Sequence, residues 1–364
     1  MKVVLITEAF GGIATYSEFL LRELNAIAGI DSRGIWVLYP QNYEEQNITK
    51  FIPSKRITLK IPCSDCFKDL LITRIRRDPS EIIHFQYDLS IFPSQNHFLE
   101  LLKEIRRQAS KKVIITLHSI YTDHLFIKMI NNCQMFTDIF IVHQENARNF
   151  LISKGMNPNK IATIPHGSPI IKPNSYKIRF FKKNLFKIVM VGFLKKTKAF
   201  KETLSSLITK DDLEIIVAGM VKESEVVRQI EQLKQKAKAT LTIIPRFLTD
   251  QEFMALMEEA NCIILPYEQN YFSSSGILHF AAGMKKIVLV SPSPKFRELT
   301  KKIPFCSVNN GNYLKRIEVL QNSPEIVNQV KEKMASFARD TSWPIIAKKT
   351  FKLYKNVLRN NYPH

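Results

Sequence analysis

Short apolar runs alternate with stretches of helical periodicity along nearly the whole chain. Residues 3–6 form the first run, the turn Gly11-Gly12 follows, and apolar side chains then recur at helical spacing from residue 13 to 28. Apolar runs without polar alternation are typical of strands buried on both faces of a parallel sheet. Further strands are predicted at 34–39, 57–61, 81–85, 112–117, 138–142, 160–164, 188–191, 213–218, 241–244, 262–265 and 287–290. The other predicted helices span 65–77, 95–110, 122–133, 144–154, 199–208, 223–237, 249–260, 274–284, 296–301, 324–338 and 343–358.

This order of elements predicts an α/β protein built from two Rossmann-like, doubly wound parallel sheets. The alternation is broken by a proline- and lysine-rich segment at 168–187. We therefore predict one domain over 1–170, a linker over 171–186, a second domain over 187–340 and a C-terminal helix over 341–364. Two such halves are expected to turn the carboxyl ends of their strands toward each other across a cleft.

Charge adds an asymmetry between the two halves. The net charge is +20; Lys and Arg number 21 against 16 acids up to Lys172, and 32 against 17 beyond it. Such a basic surface suits nucleic acid, anionic lipid or a phosphorylated substrate. Nucleic acid is not favoured, because the basic residues are not interleaved with aromatics in any recognisable binding module.

The cysteines and the apolar runs bear on location. The five cysteines are scattered, and only Cys63 and Cys66 have the spacing of a redox or zinc pair. With no second pair beside them they are interpreted as reduced thiols in a loop, which favours a cytoplasmic protein. No apolar run reaches the roughly 18 residues needed to span a bilayer, and the first apolar run lacks the basic flank of a signal peptide.

Polar residues that follow predicted strands are the candidates for chemistry, since ligands of open α/β sheets bind outside the carboxyl ends of the strands. They combine a glycine turn, a carboxylate, imidazoles, cations and a helix N-terminus, which suit an anionic leaving group beside a polar acceptor. These residues are Gly11, Gly12, Gln86, Asp88, His118, His166, Lys195, Lys198, Arg246, Ser274, Ser275 and Gly276. Neither a Gly-x-Gly-x-x-Gly fingerprint nor a Walker A loop occurs, so hydride transfer and ATP hydrolysis are not favoured.

Six segments, in order, resemble motifs of GT-B glycosyltransferases of the large retaining family 4. They are FGGIATY at 10–16, IHFQYDLSIF at 83–92, TLHS at 116–119, IPHG at 164–167, VGFLKKTK at 191–198 and SSGIL at 274–278. The second resembles the "HxQxE-xGIF" segment of one branch, the fifth the "GxLRPxKG" loop, and the last that branch's "SSGxL". The resemblance runs from end to end of the chain.

The resemblance implies a retaining hexosyltransferase that needs no metal or cofactor and moves a sugar from a nucleotide-diphosphate sugar to a glycan, lipid-linked or small-molecule acceptor. The first domain would hold the acceptor and the second the donor, with the C-terminal helix packing back on the first domain. Catalytic roles fall to His118, Lys195, Lys198 and Asp88. Donor binding falls to Gly192, Arg246, Ser274, Ser275, Gly276 and Ile277. Acceptor or phosphate binding falls to Gly11, Gly12 and Gln86, whereas His166 is interpreted as a turn former.

The chain also departs from the family's pattern. Phe272 and Phe280 stand where most members carry a Glu-x7-Glu pair, and Lys285-Lys286-Ile287-Val288 replaces the usual "GKPV". These departures favour an alternative, a glycosyltransferase-like protein that has lost catalysis and acts as a binding or partner subunit. A third hypothesis is a peripheral enzyme whose basic second half or final helix touches anionic membrane.

Overall fold

The computed structural model describes residues 1–9, 11–38, 56–60, 67–89, 91–92, 95–108, 111–172, 178–182, 184–268 and 271–359. Cys63 and Cys66 lie outside these residues, so the interpretation of that pair stays a prediction. The contacts between residues divide the chain into two compact units. Unit 1 comprises Met1–Gly167, Tyr271–Ser274 and Thr341–His364, and unit 2 comprises Ser168–Asn270 and Ser275–Asp340.

The strands and helices follow the predicted order. Up to residue 163 they are β1 Lys2–Glu8, α1 Gly12–Asn25, β2 Asp31–Leu38, β3 Arg56–Lys60, α2 Phe67–Arg77, β4 Ile82–Tyr87, α3 Gln95–Gln108, β5 Lys112–Leu117, β6 Ser119–Tyr121, α4 His124–Cys133, β7 Ile139–Val142, α5 Glu145–Ser153 and β8 Ile161–Thr163. From there on they are β9 Phe186–Val191, α6 Phe200–Leu207, β10 Leu213–Ala218, α7 Ser224–Lys234, β11 Thr240–Ile244, α8 Asp250–Glu259, β12 Cys262–Leu265, β13 Tyr271–Ser273, α9 Gly276–Gly283, β14 Ile287–Val290, α10 Arg297–Lys302, α11 Tyr313–Asn322, α12 Pro324–Asp340 and α13 Trp343–Leu358.

Unit 1 is built on a parallel sheet whose described strands run in the order β3-β2-β1-β4-β5-β7-β8. The order reverses between β1 and β4, and that reversal is where doubly wound sheets bind their ligands. Every residue of β4 is buried, including the polar residues His84 and Gln86, which alternate along the strand and so point to one face.

Unit 2 repeats the plan with the parallel order β11-β10-β9-β12-β14, which reverses between β9 and β12. The apolar runs read as buried strands are indeed buried throughout, as in β10, β12 and β14. Helix α8 begins with a capping box, in which the Thr249 side chain and the Glu252 side chain each bond the other's backbone N–H. The predicted α/β fold with two doubly wound sheets is confirmed.

The C-terminal helix belongs to unit 1 and packs on α1, as the fold prediction expected. Trp343 lies stacked on Phe19, with ring centroids 5.5 Å apart, and edge-on to Tyr16 at 4.9 Å. Farther along the helix, the Tyr354 hydroxyl lies 2.6 Å from Nδ1 of the buried His84. The helix therefore joins unit 1 through aromatic packing and a buried polar contact.

Three elements, β6, β13 and α11, were missed from the sequence. The segment 266–273, where no strand or helix was predicted, contains β13, which pairs antiparallel with β6 directly after His118. Three residues carry too little periodicity to predict a strand, and the pairing is set by tertiary contacts. Helix α11 was also missed, although Tyr313, Ile317 and Leu320 form a buried helical stripe.

Lys285 adopts the left-handed backbone conformation, with φ of 55°. Residues other than glycine rarely occupy this region, because Cβ then crowds the neighbouring carbonyl. The position is the one at which the "GKPV" pattern has glycine. In this chain a lysine makes the left-handed turn that ends α9. Among the described residues, no helix is long and apolar enough to cross a membrane.

Candidate functional site

In unit 1 the candidate residues gather where β1, β4 and β5 end. Gly11 has a φ of 91° and precedes α1, and a Cβ added at Gly12 would meet nothing within 4 Å. The Ile13 N–H at this helix N-terminus donates to Oε1 of Glu8 at 3.3 Å. The protein's own carboxylate therefore already lies where helices favour an anion, and a phosphate bound at Gly11-Gly12 has to displace or adjoin it.

His118 is buried and both of its ring nitrogens face protein groups. Its Nε2 lies 2.9 Å from Oε1 of Gln86, and its Nδ1 lies 3.4 Å from Nε2 of His143. The Nδ1–H of His143 in turn donates to the carbonyl of Ile164 at 3.0 Å. The amide nitrogen of Gln86 is buried and has no hydrogen-bond partner among the described residues. A ligand bound at the end of β4 could accept a hydrogen bond from this amide. Asp88 directly follows β4 and is also buried.

Burial keeps these imidazoles neutral. Desolvation lowers the pKa of His118 well below its ordinary value, and the nearby His143 and His84 lower it further. Burial likewise lowers the pKa of His143 to about 4, although its bond to the Ile164 carbonyl opposes the shift. A neutral imidazole can donate one hydrogen bond and accept another but brings no positive charge. His118 therefore cannot neutralise a phosphate, and to bond a sugar hydroxyl it has to exchange its contact with Gln86 or His143.

Four aromatic rings lie around Tyr16, in a cluster that the sequence did not predict. The Tyr16 ring contacts His118, His143, His166 and Trp343, with centroid distances between 4.8 and 5.3 Å. His143 directly follows β7, so the rule that singled out His118 could have found it too. Trp343 carried no such signal, because only the packing of α13 on α1 brings it here.

The buried histidines of unit 1 predict a loss of stability in acid. Burial lowers the pKa of His84 to about 3 and that of His143 to about 4, both from 6.5. Below pH 6.5 the unfolded chain therefore binds protons that the native state does not, and unit 1 loses stability as the pH falls from about 6.5 toward 4. Each histidine costs about 2 kcal/mol at pH 5. Urea unfolding followed by tryptophan fluorescence at pH 7.5 and 5 measures the change, because the chain's two tryptophans, Trp36 and Trp343, both lie in unit 1.

A pair of variants isolates the imidazoles from other titrating groups. His143→Gln removes one buried histidine, whereas His124→Gln removes an exposed one. The pH-dependent drop should shrink in the first variant and stay unchanged in the second. Equal drops in both would show that these rings do not set the acid sensitivity.

In unit 2 the candidate residues gather where β9 and β12 end, at the reversal of strand order. Gly192 has a φ of 115°, and a Cβ added there would lie 2.1 Å from Nζ of Lys198 and 3.1 Å from Cδ1 of Ile277. The absence of a side chain at Gly192 thus admits the lysine beside the start of α9. Three predicted site residues, Gly192 and Lys198 of one loop and Ile277 of α9, are thus brought together.

Lys198 is a buried cation, with only 4% of its surface exposed. Its Nζ donates to the carbonyl of Val191 at 3.0 Å and lies 4.9 Å from the ring centroid of Tyr267. Desolvation lowers its pKa well below the ordinary value, and two further cations, Lys295 and Lys195, lower it more. No carboxylate within the described part of the chain forms an ion pair with Lys198. The site therefore favours an incoming anion.

Helix α9 adds backbone donors beside this lysine. The Ser275 hydroxyl accepts the N–H of Leu278 at 3.4 Å and caps the helix. Gly276 and Ile277 open the helix, and first-turn N–H groups have no acceptor within it. Ser274 precedes the cap and lies at the end of the segment assigned to unit 1.

Arg246 and the two phenylalanines are engaged elsewhere. The Arg246 guanidinium is bonded in a fork to both carboxylate oxygens of Glu252, at 2.9 and 2.6 Å. The Phe272 ring lies 4.9 Å from that of Phe150 within unit 1, and the Phe280 ring lies edge-on to that of Phe253 at 5.6 Å. Where the family's pattern has two carboxylates, this chain has aromatic side chains packed against their neighbours.

Comparison with known proteins adds evidence on the fold. No family model matches the sequence, and no curated protein does. Sucrose-phosphate synthase from Thermosynechococcus elongatus superimposes with a TM-score of 0.77 at 16% identity, covering 99% of this chain and all of that one. A glycosyltransferase from Rickettsia africae gives 0.70 at 16% identity over 99% of both chains, and Anabaena HepE in complex with UDP gives 0.74 at 11% identity over 98% and 100%. The fold is GT-B. At these sequence identities the comparison shows a shared fold only. The chemistry has to be argued from the residues of the site.

Proposed function

We propose that this protein is a glycosyltransferase that takes a nucleotide-diphosphate sugar at the Lys198 end of the unit 2 sheet. The observation that carries the proposal is a buried lysine with cationic neighbours, placed beside the first turn of α9 at the strand-order reversal. A diphosphate leaving group is the anion that such a site suits, because it gains negative charge as the sugar departs. Solved structures with this fold include HepE in complex with UDP and with UDP-glucose, which makes UDP the first nucleotide to test.

In the proposed reaction, Lys198, Lys195 and the N–H groups of Gly276 and Ile277 neutralise the leaving diphosphate. His118 and Gln86 would orient the sugar or its acceptor, with Asp88 as the acceptor-side carboxylate. The anomeric configuration is proposed to be retained, by attack on the face that the phosphate leaves, so that no protein nucleophile is needed. We also propose that the enzyme belongs to family 4 and needs no metal ion. The acceptor is a glycan, a lipid-linked sugar or a small molecule.

Thermal unfolding with UDP-, GDP- and ADP-sugars tests donor binding. A ligand present at 100 times its dissociation constant adds about 2.7 kcal/mol, a shift of several degrees for a domain of this size. Donor turnover followed by NMR, with and without EDTA, then reports the anomer formed and any need for metal. A chain that no nucleotide stabilises would contradict the proposal.

A second candidate is a binding subunit that has lost catalysis. The aromatic packing of Phe272 and Phe280 favours it, since neither position can bond a ribose or sugar hydroxyl. It predicts that no nucleotide sugar is turned over in the presence of any acceptor class, whether or not the nucleotide sugar binds. Single-turnover assays with radiolabelled donor separate the two candidates, because they detect even slow transfer to water.

Contact with an anionic membrane is a further proposal, favoured by the outer face of α13. That helix contains no acidic residue and its exposed positions include lysines 348, 349, 352 and 355, next to the exposed Ile345. Each lysine near an anionic surface contributes about 1 kcal/mol at low salt. Changing these four to glutamine should abolish sedimentation with phosphatidylglycerol vesicles, whereas glutamine at lysines 236, 238, 331 and 333 should not. Equal binding to vesicles of phosphatidylcholine alone would contradict the electrostatic contact.

A further inference from the structure

A row of hydrogen-bonding groups crosses the carboxyl ends of four neighbouring strands in unit 1. Its members are Gln86 in β4, His118 after β5, His143 after β7 and Ile164 after β8. Nδ1 of His143 lies 3.0 Å from the Ile164 carbonyl, and its Nε2 lies 3.4 Å from Nδ1 of His118. Nε2 of His118 lies 2.9 Å from the Gln86 amide. The three side chains are at most 8% exposed, so protein groups or a ligand have to complete their bonding.

The carbonyl at one end of the row fixes the first proton. Burial keeps both imidazoles neutral, so each ring carries one N–H and one lone pair. The Ile164 carbonyl can only accept, and the proton of His143 is therefore on Nδ1. The Nε2 of His143 is then an acceptor, and it faces Nδ1 of His118.

The proton of His118 could lie on either nitrogen. On Nε2 it would donate to the Gln86 amide oxygen, but the lone pair of Nδ1 would then face that of His143, and the buried amide nitrogen of Gln86 would have no partner. On Nδ1 it donates to His143 instead. A half-turn of the Gln86 amide exchanges its oxygen and nitrogen, and the amide nitrogen then donates to Nε2 of His118.

The second arrangement makes better use of the same groups. It forms a hydrogen bond at each of the three contacts of the row, whereas the first leaves two lone pairs opposed at 3.4 Å. Buried polar groups in proteins are nearly always paired, so the second arrangement is favoured. The buried position without a partner is then held by the Gln86 oxygen. A ligand there would donate to this amide and not accept from it.

We propose that His143 is a positioning residue, which holds His118 as the Nδ1–H tautomer and through it sets the orientation of the Gln86 amide. The consequence for a ligand rests on the proposed function and sharpens it. Nε2 of His118, once the amide leaves it, and the amide oxygen of Gln86 are both acceptors. They would accept from a hydroxyl of the sugar or its acceptor, and they would not bind a phosphate oxygen, which itself can only accept.

Nitrogen-15 NMR of the full chain with labelled histidine tests the assignment, because protonated and unprotonated ring nitrogens resonate far apart. At pH 7.5 we expect His118 and His143 both to carry their proton on Nδ1. His143→Leu removes the acceptor, and the proton of His118 should move to Nε2. His143→Gln offers an amide oxygen in its place and should keep the His118 tautomer. His124→Gln, at an exposed position, should change neither ring.

Turnover of the nucleotide sugar that stabilises the chain then separates positioning from packing. His143→Leu should lower kcat/KM at least about tenfold, the effect of misdirecting one hydrogen bond to the ligand. His143→Gln should stay within about threefold of the wild type, because the amide oxygen restores the acceptor. His124→Gln should react like the wild type.

The outcomes distinguish this inference from the proposed function. A wild-type His118 with its proton on Nε2, or a tautomer that His143→Leu leaves unchanged, overturns the role of His143 while nucleotide-sugar transfer still stands. Equal losses of kcat/KM in the leucine and glutamine variants also overturn it, because packing alone would explain them. The expected tautomers in a wild type that binds no nucleotide sugar overturn the proposed function and support the assignment of His143. The wild-type spectrum decides the tautomer even if His143→Leu does not fold.

Discussion

Replacing Lys198 by methionine is expected to weaken UDP binding by about 100-fold or more and to abolish any transfer of sugar. A charge-assisted hydrogen bond contributes about 1.5–3 kcal/mol, and the contribution rises where water is excluded. Lys198 is nearly inaccessible, and its carbonyl and aromatic contacts provide no negative charge. The diphosphate would therefore be its strongest partner. Calorimetry with UDP, together with donor turnover, measures both effects.

The same variant is expected not to lower the stability of the unliganded protein. Methionine fills a similar volume without a charge, so the unliganded melting temperature should stay level or rise. Lys196→Met is the matched control, because it makes the same substitution two residues away on an exposed side chain. A drop in stability with unchanged nucleotide affinity would reverse the assignment and make Lys198 a structural residue.

The sequence could predict much of the fold because each element carries a local signal. The apolar runs that became β5, β10, β12 and β14 have the predicted bounds, since strands buried on both faces need continuous apolar side chains. Strand β13 could not be predicted in this way. Its three residues pair with β6 from a distant part of the chain, and nothing local distinguishes them from a loop.

The candidate sites were predictable only in part, and for a similar reason. Lys198 and Gly192 stand in a recognisable loop, and the φ of 115° at Gly192 favours glycine at that position beside Nζ of Lys198. The Nζ of Lys295 lies 4.0 Å from the centroid of the Tyr267 ring, a contact that no spacing in the sequence indicates. Arg246 shows the converse. Arg246 follows β11, which is the expected place for a site residue. Its guanidinium nevertheless already pairs with Glu252, in the first turn of α8.

Gly167→Ala is expected to destabilise unit 1 by about 3 kcal/mol, the upper end of the usual cost of overpacking a core. An ideal Cβ at this position would lie 2.2 Å from Cδ2 of Trp343 and 2.4 Å from two further ring atoms. The indole cannot retreat easily, since it is 2% exposed, stacked on Phe19 and edge-on to Tyr16. Urea unfolding followed by tryptophan fluorescence reports unit 1 selectively, because Trp36 and Trp343 both belong to it.

The control for this variant is Gly12→Ala, where an added Cβ meets nothing within 4 Å. Alanine is a better helix former than glycine, so stability should be unchanged or slightly higher at this first residue of α1. A double variant, Gly167→Ala with Trp343→Leu, should lose less than the two single changes together, because the smaller side chain frees the space that the methyl group needs. Strict additivity would mean that the two residues do not meet. The packing of α13 on unit 1 would then have to depend on other contacts, such as the bond between His84 and Tyr354.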